Sequence, residues 1–135
     1  MAGRSTRAML LDAGAISVGA GVGALFRSAV SNSMRVRSPR HGGYFGTLTV
    51  NILGSFVLGV IAASSPIAPR AKLLLGVGLC GGFTTFSTFA VDSIALFESG
   101  RASLAFGYIT ANNVGSIGAA VLGSRVAKSV ARKLR

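Results

Sequence analysis

The sequence predicts an all-α membrane protein in which residues 1–135 form one integral membrane domain with four transmembrane helices. Half of the 135 residues are hydrophobic and only 13% are charged, well below the ~25% typical of soluble domains. Four apolar stretches of roughly 20 residues are each long enough to cross a bilayer as a helix. The 19 glycines suit closely packed transmembrane helices, because small residues let helix backbones approach one another.

The first predicted helix covers residues 8–30, and a polar, basic loop, Ser31–Gly43, is expected to follow it. Gly19, Gly23 and Arg27 are spaced four apart, so they share one face of this helix. Arg27 has two interpretations. Its side chain either anchors the helix by reaching the lipid headgroups or provides a fixed positive charge at the mouth of an anion pathway.

The second predicted helix, residues 44–63, carries one polar stripe on an otherwise apolar surface. Positions spaced four apart form this stripe: Thr47, Asn51, Ser55 and Gly59. Such a stripe either bonds to neighbouring helices, which is worth ~1 kcal/mol or less per pair in membranes, or lines a pathway. Asn51 favours the pathway because its NH2 group offers two donors near mid-membrane depth, where an unused donor is costly.

The third predicted helix, residues 71–97, contains the most unusual stretch of the chain, Cys80–Phe89. The adjacent Gly81 and Gly82 predict a break, since glycine inside a helix costs about 1 kcal/mol relative to alanine. Four hydroxyl groups and three phenyl rings follow within seven residues. A purely structural membrane helix would not need this mixture, so the stretch predicts part of an ion pathway. Cys80 itself is interpreted as ordinary packing.

The fourth predicted helix, residues 102–123, places Tyr108, Asn112 and Ser116 on one face. Polar stripes on the second and fourth helices, beside a polar break in the third, are typical of a lined pathway. A basic tail, residues 124–135, follows the fourth helix. We interpret this tail as an anchor at the membrane surface.

The charge distribution predicts membrane topology and excludes some functions. A net charge of +11 would suggest nucleic-acid binding in a soluble protein. Here the basic residues lie at helix ends and in loops, so we expect contacts with membrane lipid and no nucleic-acid partner. Nine of the 14 basic residues lie on the side of both termini, which predicts cytoplasmic termini. Three carboxylates and one histidine, His41, leave too little titratable chemistry for an enzyme.

Two segments resemble signature motifs of the CrcB/Fluc family of fluoride channels: Gly46–Phe56 in the second helix and Gly81–Phe89 in the third. The glycines that lead to Arg27 and the pair Gly115-Ser116 also fit, so the resemblance covers about residues 14–123. The third-helix motif is long and specific. The resemblance implies a fluoride-selective channel that exports fluoride from the cytoplasm by passive electrodiffusion and so lowers its toxicity.

The same resemblance implies an antiparallel, dual-topology-type dimer of four-helix subunits, with two fluoride pores and one structural Na+ at the subunit interface. Backbone carbonyl groups of Gly81 and Thr84 from both subunits would bind the sodium. Arg27 resembles the positively charged residue of the pore vestibule. The pore positions implied by the resemblance are Asn51, Phe86, Phe89, Ser87, Thr88, Tyr108, Asn112 and Ser116.

Asp92 stands where the family often has a glutamate, which is one methylene longer. We expect it to make a capping or interhelical polar contact, with a proton-relay role as the alternative. The charge bias suggests one fixed orientation, so the second subunit is either the same chain or a paralogue inserted the opposite way.

Two other functions stay open. One is a proton-coupled antiporter of the small multidrug-resistance type, which needs a membrane-embedded carboxylate. Asp12 lies close to a helix start and lacks aromatic neighbours for a cation, so it suits this role poorly. The other is a nonconducting scaffold, in which the polar stripes only hold helices together.

Overall fold

The computed structural model describes residues 5–64 and 67–134 and is helical throughout, apart from the turns within these ranges. Residues 1–4, 65–66 and 135 lie outside the described residues, and among them is Arg135, the last residue of the predicted basic tail. Within the described part, three helical segments are long and apolar enough to cross a membrane: Thr6–Arg37, Gly42–Ala63 and Pro69–Glu98. The predicted all-α class is confirmed, and the fourth membrane crossing stays a prediction.

Helix α1, Thr6–Arg37, is longer than the predicted 8–30. The predicted loop Ser31–Gly43 is wrong in its first half, because residues 31–37 continue the helix. No glycine or proline occurs between Ser31 and Pro39. The helix ends there because the residue before a proline disfavours helical dihedral angles.

Helix α2, Gly42–Ala63, agrees with the predicted 44–63 to within two residues. Its first turns pack directly on the end of α1. A Cβ atom on Gly46 would lie 3.0 Å from the Cα atom of Ser31. This contact gives the polar end of α1 a partner, which explains why it is helical although its sequence is not apolar.

The predicted third helix is two helices, α3 at residues 69–83 and α4 at Phe86–Glu98. Pro69 begins α3, at a helix start where its fixed φ angle is favourable. The middle of α3, Leu73–Cys80, is a π-helix with wider turns than an α-helix.

The break between α3 and α4 lies three residues beyond the predicted Gly81-Gly82 position. Both glycines are helical, whereas Thr84 and Thr85 are extended, with φ/ψ angles of −83°/160° and −150°/110°. Gly82 is needed for packing instead, because a Cβ atom there would lie 2.9 Å from the Cα atom of Ala20 in α1. The close approach of two backbones, and not a loss of helical dihedral angles, therefore accounts for this glycine.

Helix α5, Ala102–Lys133, continues through most of the predicted basic tail. Gly100 makes the turn from α4 into α5 with a φ angle of 73°. Arg101 N donates to Leu96 O and Gly100 N to Phe97 O, both at 3.0 Å. This pair of bonds is a Schellman motif, which ends α4 sharply and reverses the chain.

Glycines set the closest contacts in two helix pairs. Between α1 and α3, Cβ atoms on Gly19 and Gly23 would lie 2.9 Å from Leu79 N and 2.8 Å from Phe83 N. Between α2 and α5, Cβ atoms on Gly59 and Gly123 would likewise run into the facing backbone. The α3–α4 break is thus held between two tightly packed helix pairs. A buried cluster where α4 meets α5 completes the core, and it consists of Phe89, Leu96, Ala105 and Tyr108.

Candidate ion pathway

Asn51 of α2 holds the break between α3 and α4. Its Oδ1 atom accepts a hydrogen bond from Thr85 N at 2.8 Å, and its Nδ2 atom donates to Thr85 O at 3.2 Å. The amide thereby replaces the helical partners that Thr85 has lost, which matters because unpaired backbone groups are costly in a membrane. Nδ2 also donates to Asn112 Oδ1 at 3.1 Å, so both donor hydrogens of Asn51 have protein partners.

Thr85 is the N-cap of α4. Its Oγ1 atom accepts from Thr88 N at 3.2 Å and donates to Thr88 Oγ1 at 2.9 Å. Ser87 Oγ lies 3.4 Å from Thr85 Oγ1. The hydroxyl groups of Ser87 and Thr88 therefore gather at the N-terminus of α4, where the helix dipole favours negative charge.

Arg27 lies beside the break, ten residues before the end of α1. Its Nη1 atom donates to Thr84 O at 3.1 Å. The guanidinium group therefore partners a carbonyl group that the interruption has left outside the helix. Its positive charge lies at the same depth in the bundle as the start of α4.

The carbonyl groups of Gly81 and Thr84 fit a hard cation, but one chain does not complete the site. In an unbroken helix Thr85 N would donate to Gly81 O, and here it donates to Asn51 instead. Thr84 O accepts from Arg27 yet has a second lone pair. Hard cations are surrounded by several oxygen ligands, and these two carbonyl oxygens alone do not make a complete set.

Phe86 and Phe89 form a short aromatic series from the surface to the core. Phe86 is 76% exposed and Phe89 only 8%. Their ring centroids are 5.5 Å apart, and the Phe89 ring lies 5.6 Å from the ring of Tyr108. The rings are tilted relative to one another, at 59° and 45°, so edges as well as faces are presented to their surroundings.

A cleft of about 260 Å³ beside the break joins residues from α2, α4 and α5. Five of the eight implied pore positions line it: Asn51, Phe86, Phe89, Asn112 and Ser116. The Oγ atom of Ser116 is buried and has no hydrogen-bond partner in the part of the chain that the structure describes. The cleft therefore combines phenyl rings with an unused hydroxyl group.

Tyr108, another implied pore position, is buried in the core and forms a hydrogen bond with Asp92. Its hydroxyl group donates to Asp92 Oδ2 at 3.1 Å, and Thr47 Oγ1 donates to the same oxygen at 2.9 Å. One carboxylate thus joins α2, α4 and α5. The interhelical polar contact expected for Asp92 is confirmed by these distances.

Thr47 and Thr85 are not among the predicted site residues, although Thr47 bonds to Asp92 and Thr85 caps α4. The spacing Thr85-x-x-Thr88 is that of an N-cap and the third helical residue, which is a usable signal for the start of α4. Thr47 belongs to the predicted polar stripe. Its bond to Asp92 depends on how two helices pack, which the stripe alone does not reveal.

A family profile described as CrcB-like protein, Camphor Resistance (CrcB), matches residues 14–124. This chain belongs to the CrcB family. The matched region contains the break, the cleft and the Asp92 contact, so the resemblance of the sequence motifs to CrcB proteins is confirmed. Together with the three apolar helices, membership of the CrcB family identifies a multi-pass membrane protein of a channel family and not an enzyme.

Several curated CrcB relatives carry the name fluoride-specific ion channel FluC. One from Leptospira interrogans serogroup Icterohaemorrhagiae is 40% identical over 116 residues, which are 80% of this chain and 87% of the relative. One from Pseudomonas putida is 41% identical over 109 residues, 76% of this chain and 86% of the relative. One from Agrobacterium fabrum is 36% identical over 126 residues, 90% of this chain and 99% of the relative.

Proposed function

We propose that this chain is a fluoride-selective channel through which fluoride leaves the cytoplasm by passive electrodiffusion. The observation that carries the proposal is the cleft beside the helix break, in a CrcB chain whose relatives are named fluoride-specific ion channels. Fluoride enters cells as the neutral weak acid and ionises inside. The inside-negative membrane potential then drives the anion outward, which lowers the cytoplasmic fluoride concentration.

The chemistry of the cleft suits this small, strongly hydrated anion. A selective pore must replace the water around fluoride with other positive or donating groups. The hydroxyl group of Ser116 is a donor that has no partner among the described residues. The rings of Phe86 and Phe89 offer edges that carry the positive end of the aromatic quadrupole. Arg27, bonded to Thr84 O at 3.1 Å, adds positive potential beside the break.

Fluoride would pass a series of weak sites rather than one strong one, as conduction requires. The hydroxyl groups of Ser87 and Thr88 lie at one end of the series and that of Tyr108 lies deeper. Asn51 and Asn112 already bond to each other at 3.1 Å. Asn51 Nδ2 is the donor in this bond and can turn that hydrogen to the anion only when the bond opens, whereas Asn112 donates from its own Nδ2 atom, which also bonds to Tyr108 O at 3.1 Å.

The antiporter alternative receives no support from the two aspartates of the spanning helices. Asp12 forms an ion pair with Arg70 at 3.2 Å, near the start of α1. Asp92 accepts hydrogen bonds from Thr47 and Tyr108. A proton-coupled exchanger needs a membrane carboxylate that can trade its proton for a cationic substrate, and both groups already hold other partners.

The proposal includes a second subunit in antiparallel orientation, with α5 as the fourth membrane crossing and structural Na+ between the subunits. Gly81 is exposed, and a Cβ atom there would meet no described residue within 4 Å, so a partner has room to approach this position. Membrane lipid would cover the remaining apolar surface.

The charge bias favours cytoplasmic termini and one orientation, so the partner is either this chain or an oppositely inserted paralogue. Full fluoride efflux from liposomes that contain this chain alone would show that the chain does not need a paralogue.

Fluoride efflux from proteoliposomes, followed with a fluoride electrode, tests the proposal. We expect rapid efflux of fluoride but not of chloride. Phe86→Ala should slow efflux about tenfold, since an aromatic contact is worth up to about 1.5 kcal/mol, and Asn51→Ala should also slow it. Phe106→Ala is the matched control, because Phe106 is 64% exposed but does not line the cleft. Unchanged efflux in both Phe86→Ala and Asn51→Ala would refute this pore.

A further inference from the structure

The last turns of α5 extend beyond the part of the chain that matches the CrcB family. The profile match ends at residue 124, whereas the helix continues to Lys133. A helix of 32 residues is about 48 Å long, and the hydrocarbon core of a bilayer is about 30 Å thick. This inference rests on the proposed function, in which α5 is the fourth membrane crossing. Its final turns then reach the lipid headgroups, at the end of the bundle that also holds the Arg70–Asp12 pair.

Basic and apolar side chains lie on two different faces of these final turns. Arg125, Lys128 and Arg132 are spaced three and four apart and are exposed, so they lie on one face of the helix. The exposed apolar side chains Val126 and Val130 lie on another face. A basic face next to an apolar face is the pattern of a helix that contacts an anionic membrane surface.

A groove between the ends of α2 and α5 opens beside the basic face. Its volume is about 500 Å³, and Arg125 and Lys128 are among its lining residues. Small side chains form the rest of its wall, including Ala62, Ala63 and Ala120. Below it, the Gly59–Ala120 contact holds the two helices close together. The groove is thus apolar towards the membrane and basic towards the headgroups.

We propose that this groove binds one anionic phospholipid, with the phosphate between Arg125 and Lys128 and the upper acyl chain along the alanines of α2 and α5. Charge complementarity is the argument. The whole sequence contains three carboxylates, and the one at this end of the bundle, Asp12, pairs with Arg70. The aliphatic parts of arginine and lysine side chains also pack well along an acyl chain while their charges reach the phosphate.

Binding of spin-labelled lipid to the full chain in a neutral detergent tests this site. Phosphatidylglycerol and phosphatidylcholine with the same acyl chains are compared by electron spin resonance. We expect the Arg125→Gln/Lys128→Gln variant to bind phosphatidylglycerol about thirtyfold more weakly than the unaltered chain, since each basic residue near an anionic lipid contributes about fivefold. Phosphatidylcholine binding should be the same in both chains.

The matched control is Arg35→Gln/Arg37→Gln, which removes two exposed charges at the opposite end of the bundle and should leave phosphatidylglycerol binding unchanged. Equal affinity for the two lipids, unaltered binding in the Arg125/Lys128 variant, or an equal loss in the control would overturn the proposal. Displacement of the lipid by inorganic phosphate alone would also overturn it, because the groove would then be only an anion site. A disulfide between two copies of the Val121→Cys variant would overturn it as well, because a second copy would then occupy the groove. Lipid binding is measured without fluoride transport, so a failure here does not bear on the channel.

Discussion

Asn51 shows at the residue scale how one amide serves structure and transport together. Its two terminal atoms make three hydrogen bonds between 2.8 and 3.2 Å, two to Thr85 and one to Asn112. Removal of the amide leaves the Thr85 N–H group without its partner, which costs about 1–3 kcal/mol for a buried group. Slower efflux in an Asn51 variant therefore combines a lost contact with a weakened break, and a second residue is needed to separate the two effects.

Ser116 provides that separation because its hydroxyl group supports no other contact. Ser116→Ala removes a donor from the cleft without unpairing any described group. A hydrogen bond to a charged group is worth about 1.5–3 kcal/mol, so we expect fluoride efflux to slow about tenfold or more. The thermal unfolding midpoint should stay the same, and circular dichroism in detergent measures it on the same samples.

Ser103→Ala is the control for this prediction. Ser103 lies on an exposed part of the same helix and does not line the cleft, so the substitution should change neither efflux nor unfolding. If Ser116→Ala and Ser103→Ala conduct equally well, Ser116 does not contact the anion.

The limits of sequence-based prediction are visible in these same residues. The four-residue spacing of Thr47, Asn51 and Ser55 correctly predicts that they share a face of α2, because spacing along a helix fixes direction. Spacing does not reveal which groups meet across helices. The pairing of Asn51 with Thr85, and of Thr47 with Asp92, depends on the packing of α2 against α4 and α5.

At the scale of helices, the break and the glycines turn out to have different origins. The sequence predicts a break at Gly81-Gly82, whereas the break in the structure lies at Thr84 and Thr85. Glycine lowers helix propensity by only about 1 kcal/mol, which packing easily outweighs. The Asn51 amide and the Thr85 N-cap stabilise the extended residues, so polar side chains, and not the glycines, determine where the helix stops.

The α1–α3 contact gives a direct test of the packing role of glycine. Gly19→Ala would place a Cβ atom 2.9 Å from Leu79 N and against Leu74 O. Overpacking of this kind costs about 1–3 kcal/mol, so we expect a lower thermal unfolding midpoint. Gly21→Ala lies on the same helix with nothing within 4 Å and should leave the midpoint unchanged or slightly higher. Equal midpoints for the two variants would contradict the packing shown for Gly19.

The end of α1 is helical although its sequence is polar. Ser31–Arg37 was expected to be a loop because it is polar and basic, yet it is helical. Polarity alone is a weak signal for a loop when no glycine or proline intervenes. Contact with Gly46 of α2 then stabilises the added turns.

For the whole molecule, the many exposed apolar side chains and the exposed Gly81 form surfaces that lipid or a second subunit would cover. Sequence composition was sufficient to predict a helical membrane protein, and the third-helix motif was sufficient to predict its family. Neither reveals the number or the identity of subunits, because the interface is formed by residues that look the same in sequence whether lipid or protein covers them.

The central claim is that fluoride crosses through this protein as a passive ion. The most direct measurement is the zero-current potential of planar bilayers that contain the protein, with different fluoride concentrations on the two sides and equal pH and sodium. A fluoride channel is expected to shift this potential by about 59 mV for each tenfold fluoride gradient. A potential that ignores the fluoride gradient, or that follows an imposed proton gradient instead, would contradict the channel.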